Sequence, residues 1–562
     1  MRKYLGLLAA VSIALILAIV GTTPPSPRDE TAPQTDFSAA RAMVDVRQVA
    51  AAPHVTGSAE NARVRAYLVE RLRALGLDTG TTASPLGEQG AARLRQWRGD
   101  EMAAPPVENI FARLGGSDPS LPAVLLMAHY DSVWGSAGAS DDAAGVAAIL
   151  EIVRAVKAKG ALPRDLLVLF TDAEELGLEG AKYFFANNSN RRRVGAIINL
   201  EARGGGGRTT LFQTSAQNGE AMRLYHRAVD RPGASSLAAF VYSVLPNDTD
   251  LTPALSGDYT AYNFAFIGRP GLYHSPDATP ENLDQGALQD MGAQGLDLTW
   301  ALLSAETLPG KAADLTFFDM FGLFLISYPA WAGWLLIAAA ALLVIDQIRA
   351  AETRKTMARG SAATLLVILL GAGLLYLFNL LSGADGAINY YDRLAATTRL
   401  EVQALLICAA MLVLALAWLG GQRASLIGII LAIVVQLFAP TAAYIIVIPL
   451  LLGGLAAVAK RRVGGGGGIA LAVLFAAISL GFLFQNSHAL MQGVGPAMPM
   501  VAALLAALAL PPLTILAPPV SGRAGNIIAA FLLIAALALA LWVRLDPVAE
   551  TVAVYSEFRM PR

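Results

Sequence analysis

The feature that most constrains this chain is a change of character near residue 320. From about 320 to 545 the sequence is a series of nearly uncharged apolar runs split by short polar loops. From about 30 to 310 charges are mixed and Gly/Pro turns punctuate short apolar stretches. Over all 562 residues, 55% are hydrophobic and 15% charged, against about 45–50% and about 25% in soluble chains. Mean hydropathy is +0.51. A wholly soluble protein is excluded, and the two halves need different solvents.

A helix crossing a bilayer needs roughly 20 apolar residues. The second half offers eight candidate spans, at 325–345, 362–382, 400–420, 425–439, 441–459, 469–485, 497–518 and 526–543. A ninth runs from Tyr4 to Val20, behind the basic start Met1-Arg2-Lys3, and reads as an uncleaved signal anchor. Short loops rich in Lys and Arg stay cytoplasmic. With nine spans, Arg2/Lys3, Arg349/Arg354/Lys355/Arg359, Arg423, Lys460/Arg461/Arg462 and Arg523 share one side, with Arg393 and Arg399 as exceptions on the other. The expected layout is an anchor over 1–20, a Pro/Thr/Ser-rich linker over 21–36, a soluble domain over 37–312, an all-α multi-span domain over 313–545, and a short extracytoplasmic tail over 546–562. Intramembrane acids and bases are sparse, which argues against an ion-coupled carrier. The run Gly464–Gly468 reads as a flexible connection.

The soluble half alternates strands and helices. Asn61–Leu75, Ala143–Ala158 and Leu178–Ala186 read as helices; Ala123–Ala128, Asp165–Phe170 and Ala196–Leu200 read as strands. Such alternation predicts an α/β/α sandwich with a mostly parallel central sheet, whose ligands bind beyond the carboxyl ends of the strands. Acidic and His residues fall at those ends. After AVLLMA come His129-Tyr130-Asp131-Ser132; a glycine turn leads to Ser140-Asp141-Asp142; after DLLVLF come Thr171-Asp172-Ala173-Glu174-Glu175; after AIINL comes Glu201; later stand Tyr273-His274. Taken singly, each has an ordinary explanation, such as a helix cap for an Asp pair. Their succession points instead to a site for divalent metals built from imidazoles and carboxylates. The single cysteine, Cys408, excludes a Cys-based zinc site, and the net charge of −1 lends nothing to nucleic-acid binding.

The pieces HYDS, GASDDAAG, DAEELGLEG, INLEARG and YHSPDATPENL stand in one order. In that order they resemble peptidase family M28, the di-zinc aminopeptidase and glutamate-carboxypeptidase-like metallopeptidases. The fusion to many spans resembles the branch with endoplasmic reticulum metallopeptidases and vacuolar membrane proteases. The resemblance implies a zinc-exopeptidase fold and two Zn2+ ions per chain. It implies His129 and Glu201 on one metal, Glu175 and His274 on the other, and Asp141 bridging both. It also implies Asp131 orienting His129, Glu174 as general base toward a metal-bridged water, and Tyr273 steadying the tetrahedral intermediate. Asp142 is expected to be structural.

The function so implied is a membrane-bound exopeptidase, an aminopeptidase by preference, acting on peptide substrates outside the cytoplasm. The alanine-rich, short-loop composition favours a bacterial inner membrane with the domain facing the periplasm. The partners are then a peptide and the lipid bilayer, with no nucleic acid. Two alternatives stand: a catalytically silent receptor or scaffold, and a glutaminyl-cyclase-like enzyme on the same fold. Outside the motif, His54 reads as a turn residue, His226 as surface, and His488 as part of a solvated loop. Asp258 reads as support for the site, Tyr262 and Phe264 as core or pocket wall, and Gly204–Gly207 as either a close approach to the site or a mobile loop.

Overall fold

The computed structural model describes residues 2–350, 354–419 and 426–546. They divide into two compact units, residues 23–319 and residues 2–22 with 320–546. Arg423 and the tail beyond residue 546 lie outside the described residues.

The first unit is built on a seven-stranded sheet. Its strands are β1 (Asp78–Pro85), β2 (Pro106–Leu114), β3 (Ala123–His129), β4 (Leu166–Thr171), β5 (Val194–Ala202), β6 (Gly206–Thr214) and β7 (Thr260–Gly268), in the order β1-β2-β4-β3-β5-β7-β6. The four middle strands, β4, β3, β5 and β7, run parallel. Both flanks are antiparallel. Parallel strands covered on both faces read as unbroken apolar runs, and every residue of β3 (AVLLMAH) and β4 (LLVLFT) is buried. Alternate residues point to opposite faces. Leu125, Met127, Leu167, Leu169 and Ile197 pack with Phe184 and Phe185 of the helix Glu179–Asn187. The long helices Ala143–Lys159 and Gln285–Ser304 pack on the sheet as well, each with an extended buried stripe. The sandwich of the sequence reading is thus present, with the parallel strands at its centre.

Helix starts are set by side-chain caps. Ser38, Ser58 and Asp142 accept hydrogen bonds from Arg41 N, Asn61 N and Gly145 N respectively, which satisfies donors that a first turn leaves open. The stretch expected to be a linker is fastened to this unit instead. Arg28 N donates to Gln289 Oε1 at 3.0 Å, and Arg154 Nη1 donates to Gln34 O at 2.7 Å. Composition reported the prolines there but not these remote partners.

In the second unit, seven helices among the described residues are long and apolar enough to cross a membrane. Two of the eight expected C-terminal segments are shorter. Leu426–Phe438 has 13 residues, and the other is divided into Val501–Leu508 and Leu510–Leu516. The N-terminal helix Arg2–Thr22 packs on the helix Gly465–Val494 through small residues. Ala10 and Ala14 are fully buried, and a Cβ on Gly481 would stand 3.1 Å from Ala14 O; close approach of this kind is how apolar helices associate without a hydrophobic driving force. The glycine run is no loose connection, since Gly465 already opens that helix. Arg462 Nη2 pairs with Asp346 Oδ1 at 2.9 Å, and Arg461 pairs with the same carboxylate. Arg461 and Arg462 therefore tie the segment Ala459–Val463 to the helix Gly333–Ala350. The exception Arg393 is buried, and Arg399 lies 3.9 Å over the Trp542 ring.

Candidate metal centre

His129, Glu174, Glu175 and Glu201 stand at or just beyond the ends of parallel strands, Asp141 immediately precedes the cap of the helix Ala143–Lys159, and Tyr273 and His274 follow β7. His129 closes β3 and pairs in register with Thr171, the last residue of β4. The chain then turns at Ala173, whose φ of 61° is left-handed. That conformation costs a non-glycine residue about 1–3 kcal/mol, and it aims Glu174 and Glu175 at the end of β3. His274, after β7, has φ 53°. Glu201 lies in the last turn of the pleat of β5.

These positions converge. His129 Nε2 is 2.9 Å from Asp141 Oδ1 and 3.7 Å from Glu201 Oε2. His274 Nε2 is 3.3 Å from Asp141 Oδ2 and 3.2 Å from Glu175 Oε1. Two triplets result, His129–Asp141–Glu201 and Asp141–Glu175–His274, with ligand atoms in each within 4.8 Å of one another. Asp141 belongs to both through different oxygens. A third grouping, His129–Glu174–Glu175, meets the same limit. Two atoms each 2.0–2.2 Å from a tetrahedral zinc stand ~3.3–3.6 Å apart, so the spacing fits. Glu175 Oε1 is buried without a hydrogen-bond donor, which leaves it open to a cation. The donor set, imidazole nitrogen and carboxylate oxygen, suits zinc and its borderline neighbours.

The electrostatics agree with a cation site. Burial holds the Glu174 carboxyl well above its ordinary range; Glu175, Asp250 and Asp141 add to the rise while His129 opposes it. Burial likewise lifts Glu201, with Asp142 and Glu174 adding. At Asp141 burial pushes up, but hydrogen bonds and charge from His129 and His274 outweigh it and bring the carboxyl down to about 2. Crowded carboxylates of this kind are relieved by divalent charge.

Asp131 faces His129 with both its main-chain carbonyl and its carboxylate. His129 Nδ1 meets the main-chain carbonyl of Asp131 at 3.0 Å, whereas the carboxylate is 3.5 Å away. A carbonyl only accepts, so Nδ1 carries the proton and Nε2 keeps its lone pair for a metal. The Asp131 carboxylate instead accepts from Glu174 N at 3.0 Å and Glu175 N at 3.3 Å. It positions the Glu-Glu turn. Asp142 caps its helix, as expected.

Tyr273 meets the site through its ring, stacked 3.7 Å from the His274 ring at 22°. His54 is buried, with Nδ1 2.9 Å from Ala52 O and its main-chain N–H donating to Ser132 Oγ. Its neighbours Thr56 and Asn61 donate to Asp172 behind the Glu-Glu turn; burial, then Asp131, raises Asp172 to about 7. His226 is exposed, and Tyr262 and Phe264 are core. Asp258 is not at the site: it is exposed and pairs with Lys311 at 2.6 Å. The buried acid there is Asp250, 1% exposed, which accepts a hydrogen bond from the Thr171 hydroxyl and is raised to about 6 by burial. Sequence reasoning missed it because PNDTD carries no apolar pattern and stands far from the motif. It also missed Tyr242, whose ring packs edge-on against Phe212 and whose hydroxyl is pushed up first by burial and then by the charge of Glu201.

A parallel-centred α/β unit with two carboxylate–imidazole triplets joined by one aspartate offers a candidate site for divalent metal. Residues 109–299 match peptidase family M28, a stretch that contains all eight residues singled out, and this domain belongs to that family. Endoplasmic reticulum metallopeptidase 1 of Rattus norvegicus is 30% identical over 314 residues, covering 53% of this chain and 35% of the relative. The vacuolar membrane protease of Candida dubliniensis is 29% identical over 256 residues, covering 45% and 27%. The chain spans about a third of the length of these curated relatives. Among solved structures, an aminopeptidase from Aneurinibacillus sp. strain AM-1 superposes with a TM-score of 0.38 at 16% identity, covering 50% of this chain and 97% of that one. A Porphyromonas gingivalis glutaminyl cyclase gives 0.37 at 22%, covering 47% and 98%.

Proposed function

We propose that this chain is a membrane-anchored di-zinc exopeptidase, an aminopeptidase by preference, that hydrolyses peptides on the extracytoplasmic side. The observation that carries the reading is Asp141, whose two oxygens face His129 and His274 in separate triplets. His129, Asp141 and Glu201 would hold one cation, and Asp141, Glu175 and His274 the other. When bound, the two cations supply Lewis acidity toward the scissile carbonyl and lower the pKa of a water. Glu174 removes the proton from the attacking water and delivers it to the leaving amine. It stays outside both triplets in this reading, because a ligated carboxylate cannot carry a proton. Its burial suits the task, since a raised carboxyl holds the proton between the two steps. Asp131 keeps the Glu174 main chain in place, and Tyr273, stacked on His274, offers its hydroxyl to the developing oxyanion.

The close packing of Arg2–Thr22 within the membrane unit supports a retained anchor, and the shared Asp346 contact of Arg461 and Arg462 supports the side assignment. The test uses the full chain in detergent, with metal content and turnover of an aminoacyl chromogenic panel measured together. Glu174→Gln should keep about two metals and lose ~10²–10⁴-fold in turnover. Metal without turnover on any peptide would move the reading to a scaffold or a cyclase. A folded protein that binds no zinc would sink the ligand assignment.

A further inference from the structure

The segment Pro53-His54-Val55-Thr56-Gly57-Ser58 supplies no ligand to either triplet, yet it reaches the turns that carry the site. Thr56 stands 116 residues before Asp172, and its hydroxyl donates to Asp172 Oδ1 at 3.0 Å. Asn61 Nδ2 donates to the same oxygen at 3.2 Å. So does Ala173 N, at 3.0 Å, while Glu108 N donates to Oδ2 at 3.0 Å. Asp172 is fully buried, and these four donors stand where water would otherwise be needed. The same segment holds the end of β3. His54 N donates to Ser132 Oγ at 2.9 Å, and Ser132 N donates to His54 O at 3.4 Å. Residues 54–61 thus bridge the turn that carries Asp131 and the turn that carries Glu174. Local chemistry lets them do so. Gly57 has φ 76°, and a Cβ there would stand 2.3 Å from Pro105 Cγ, so the turn requires glycine. Ser58 Oγ then accepts from Asn61 N at 3.0 Å, which fixes buried Asn61 in the first turn of the helix Ala59–Ala74.

The residue between Asp172 and Glu174 is Ala173, with its left-handed φ of 61°. A non-glycine residue keeps that conformation only where its surroundings over-determine it. Beyond Glu174 the chain closes on itself: Glu179 N donates to Ala173 O, and Gly180 N to Asp172 O, both at 3.1 Å. The Ala173 N–H is held by the Asp172 carboxylate, and that carboxylate is aimed by Thr56 and Asn61. Hydrogen bonds to a carboxylate are roughly twice as strong as neutral ones, so losing one slackens the turn. A general base misplaced by about 1 Å can cost ~10²-fold in rate. We infer that Thr56 and Asn61 are positioning residues for Glu174, acting through Asp172 and the left-handed Ala173. The inference rests on the peptidase reading, which gives Glu174 its task. It adds a hold on the base that is separate from the Asp131 carboxylate on Glu174 N, and it places part of the rate in a segment outside both triplets.

The experiment uses the full chain in detergent and reads three quantities together: kcat and KM on the aminoacyl panel, zinc per folded chain, and amide hydrogen exchange of the peptide covering 172–180. Thr56→Val keeps the shape and removes the hydroxyl. It should lower kcat per zinc-loaded chain by ~10–100-fold, with KM within about twofold and zinc unchanged. Exchange in 172–180 should speed up by at least ~10-fold. Thr56→Ser restores the donor and should return kcat and exchange to within about threefold of wild type. Asn61→Ala should act in the same direction as Thr56→Val. Should Thr56→Val fail to fold, Thr56→Cys, whose thiol is a weak donor, is read in its place. A kcat per zinc-loaded chain within about twofold of wild type overturns the inference. So does a kcat loss with unchanged exchange in 172–180, or a loss that Thr56→Ser shares in full. If the wild type cleaves no peptide, the peptidase reading fails by itself. Exchange then decides the hold on the turn, and equal exchange in wild type and Thr56→Val overturns it.

Discussion

Both units bury polar groups, but they treat them in opposite ways. In the membrane unit, Arg393 is buried and donates to Ser382 O at 2.8 Å, Ser382 Oγ at 3.0 Å, Asn379 Oδ1 at 2.6 Å and Pro496 O at 3.0 Å. All four acceptors are neutral, and the arrangement is complete in itself. In the peptidase unit, Asp141, Glu174, Glu175 and Glu201 crowd together, and burial lifts three of the four. A buried cation among neutral acceptors is a fastener. A crowd of acids around two imidazoles calls for ions from outside. The difference separates structural from chemical use of buried charge without any appeal to sequence motifs.

The largest expected effect tests the acid crowd. Asp141→Ala removes the one residue common to both triplets, so both metals should be lost together, with turnover down by more than ~10³-fold, or ~4 kcal/mol. Metal analysis beside kinetics checks it; retention of one metal would mean the triplets are independent. Asp131→Asn comes next. It cannot accept from both Glu174 N and Glu175 N, so metal affinity should drop ~10–100-fold, more at the Glu175–His274 triplet than at the His129 triplet. A two-step zinc titration reads this, and a loss confined to the His129 triplet would refute the role given to the carboxylate.

Arg393→Met tests the fastener. It leaves buried acceptors without donors, at about 1–3 kcal/mol for each group that stays dry. Melting in detergent should fall by several degrees while zinc content per folded chain holds. Loss of zinc from the still-folded protein would break the contrast between the units. The smallest effect lies at Asp297 on the helix Gln285–Ser304, away from both. Burial raises its carboxyl to about 6, so the folded state binds the proton more tightly than the unfolded chain does, near 3.9. The associated stability is full below about pH 4 and lost as pH rises through about 6. Asp297→Asn should therefore match wild type at pH 4 and exceed it by ~1–2 kcal/mol above pH 6, read from denaturant unfolding across pH.

The centre of the fold was legible and its margins were not. β3, β4 and β5 announce themselves as apolar runs because both their faces are covered, and the expected bounds differ by a residue or two from Ala123–His129, Leu166–Thr171 and Val194–Ala202. β1, DTGTTASP, is an edge strand with most of its residues open to solvent, so nothing in its composition separates it from a loop. The residues proposed to hold metal stand out together in the sequence because strand ends gather most of them within a few residues of apolar runs. Asp250 does not, because its place depends on the Thr171 hydroxyl across the sheet end. His488 was misread for a related reason. The helix Gly465–Val494 continues past the expected end of its span, and His488 Nδ1 meets Glu401 at 2.7 Å, a partner 87 residues away.

The hold on His129 comes from a peptide carbonyl, and no side-chain replacement at position 131 can abolish a carbonyl. With Nδ1 committed to that oxygen, a cation held at Nε2, as proposed, would compete with a proton for its single lone pair. Acidification would then act on the proposed ligand as a rival for one seat: a falling pH would displace a cation at His129 without first turning the ring, and a rising pH would restore it to a ring already facing the right way.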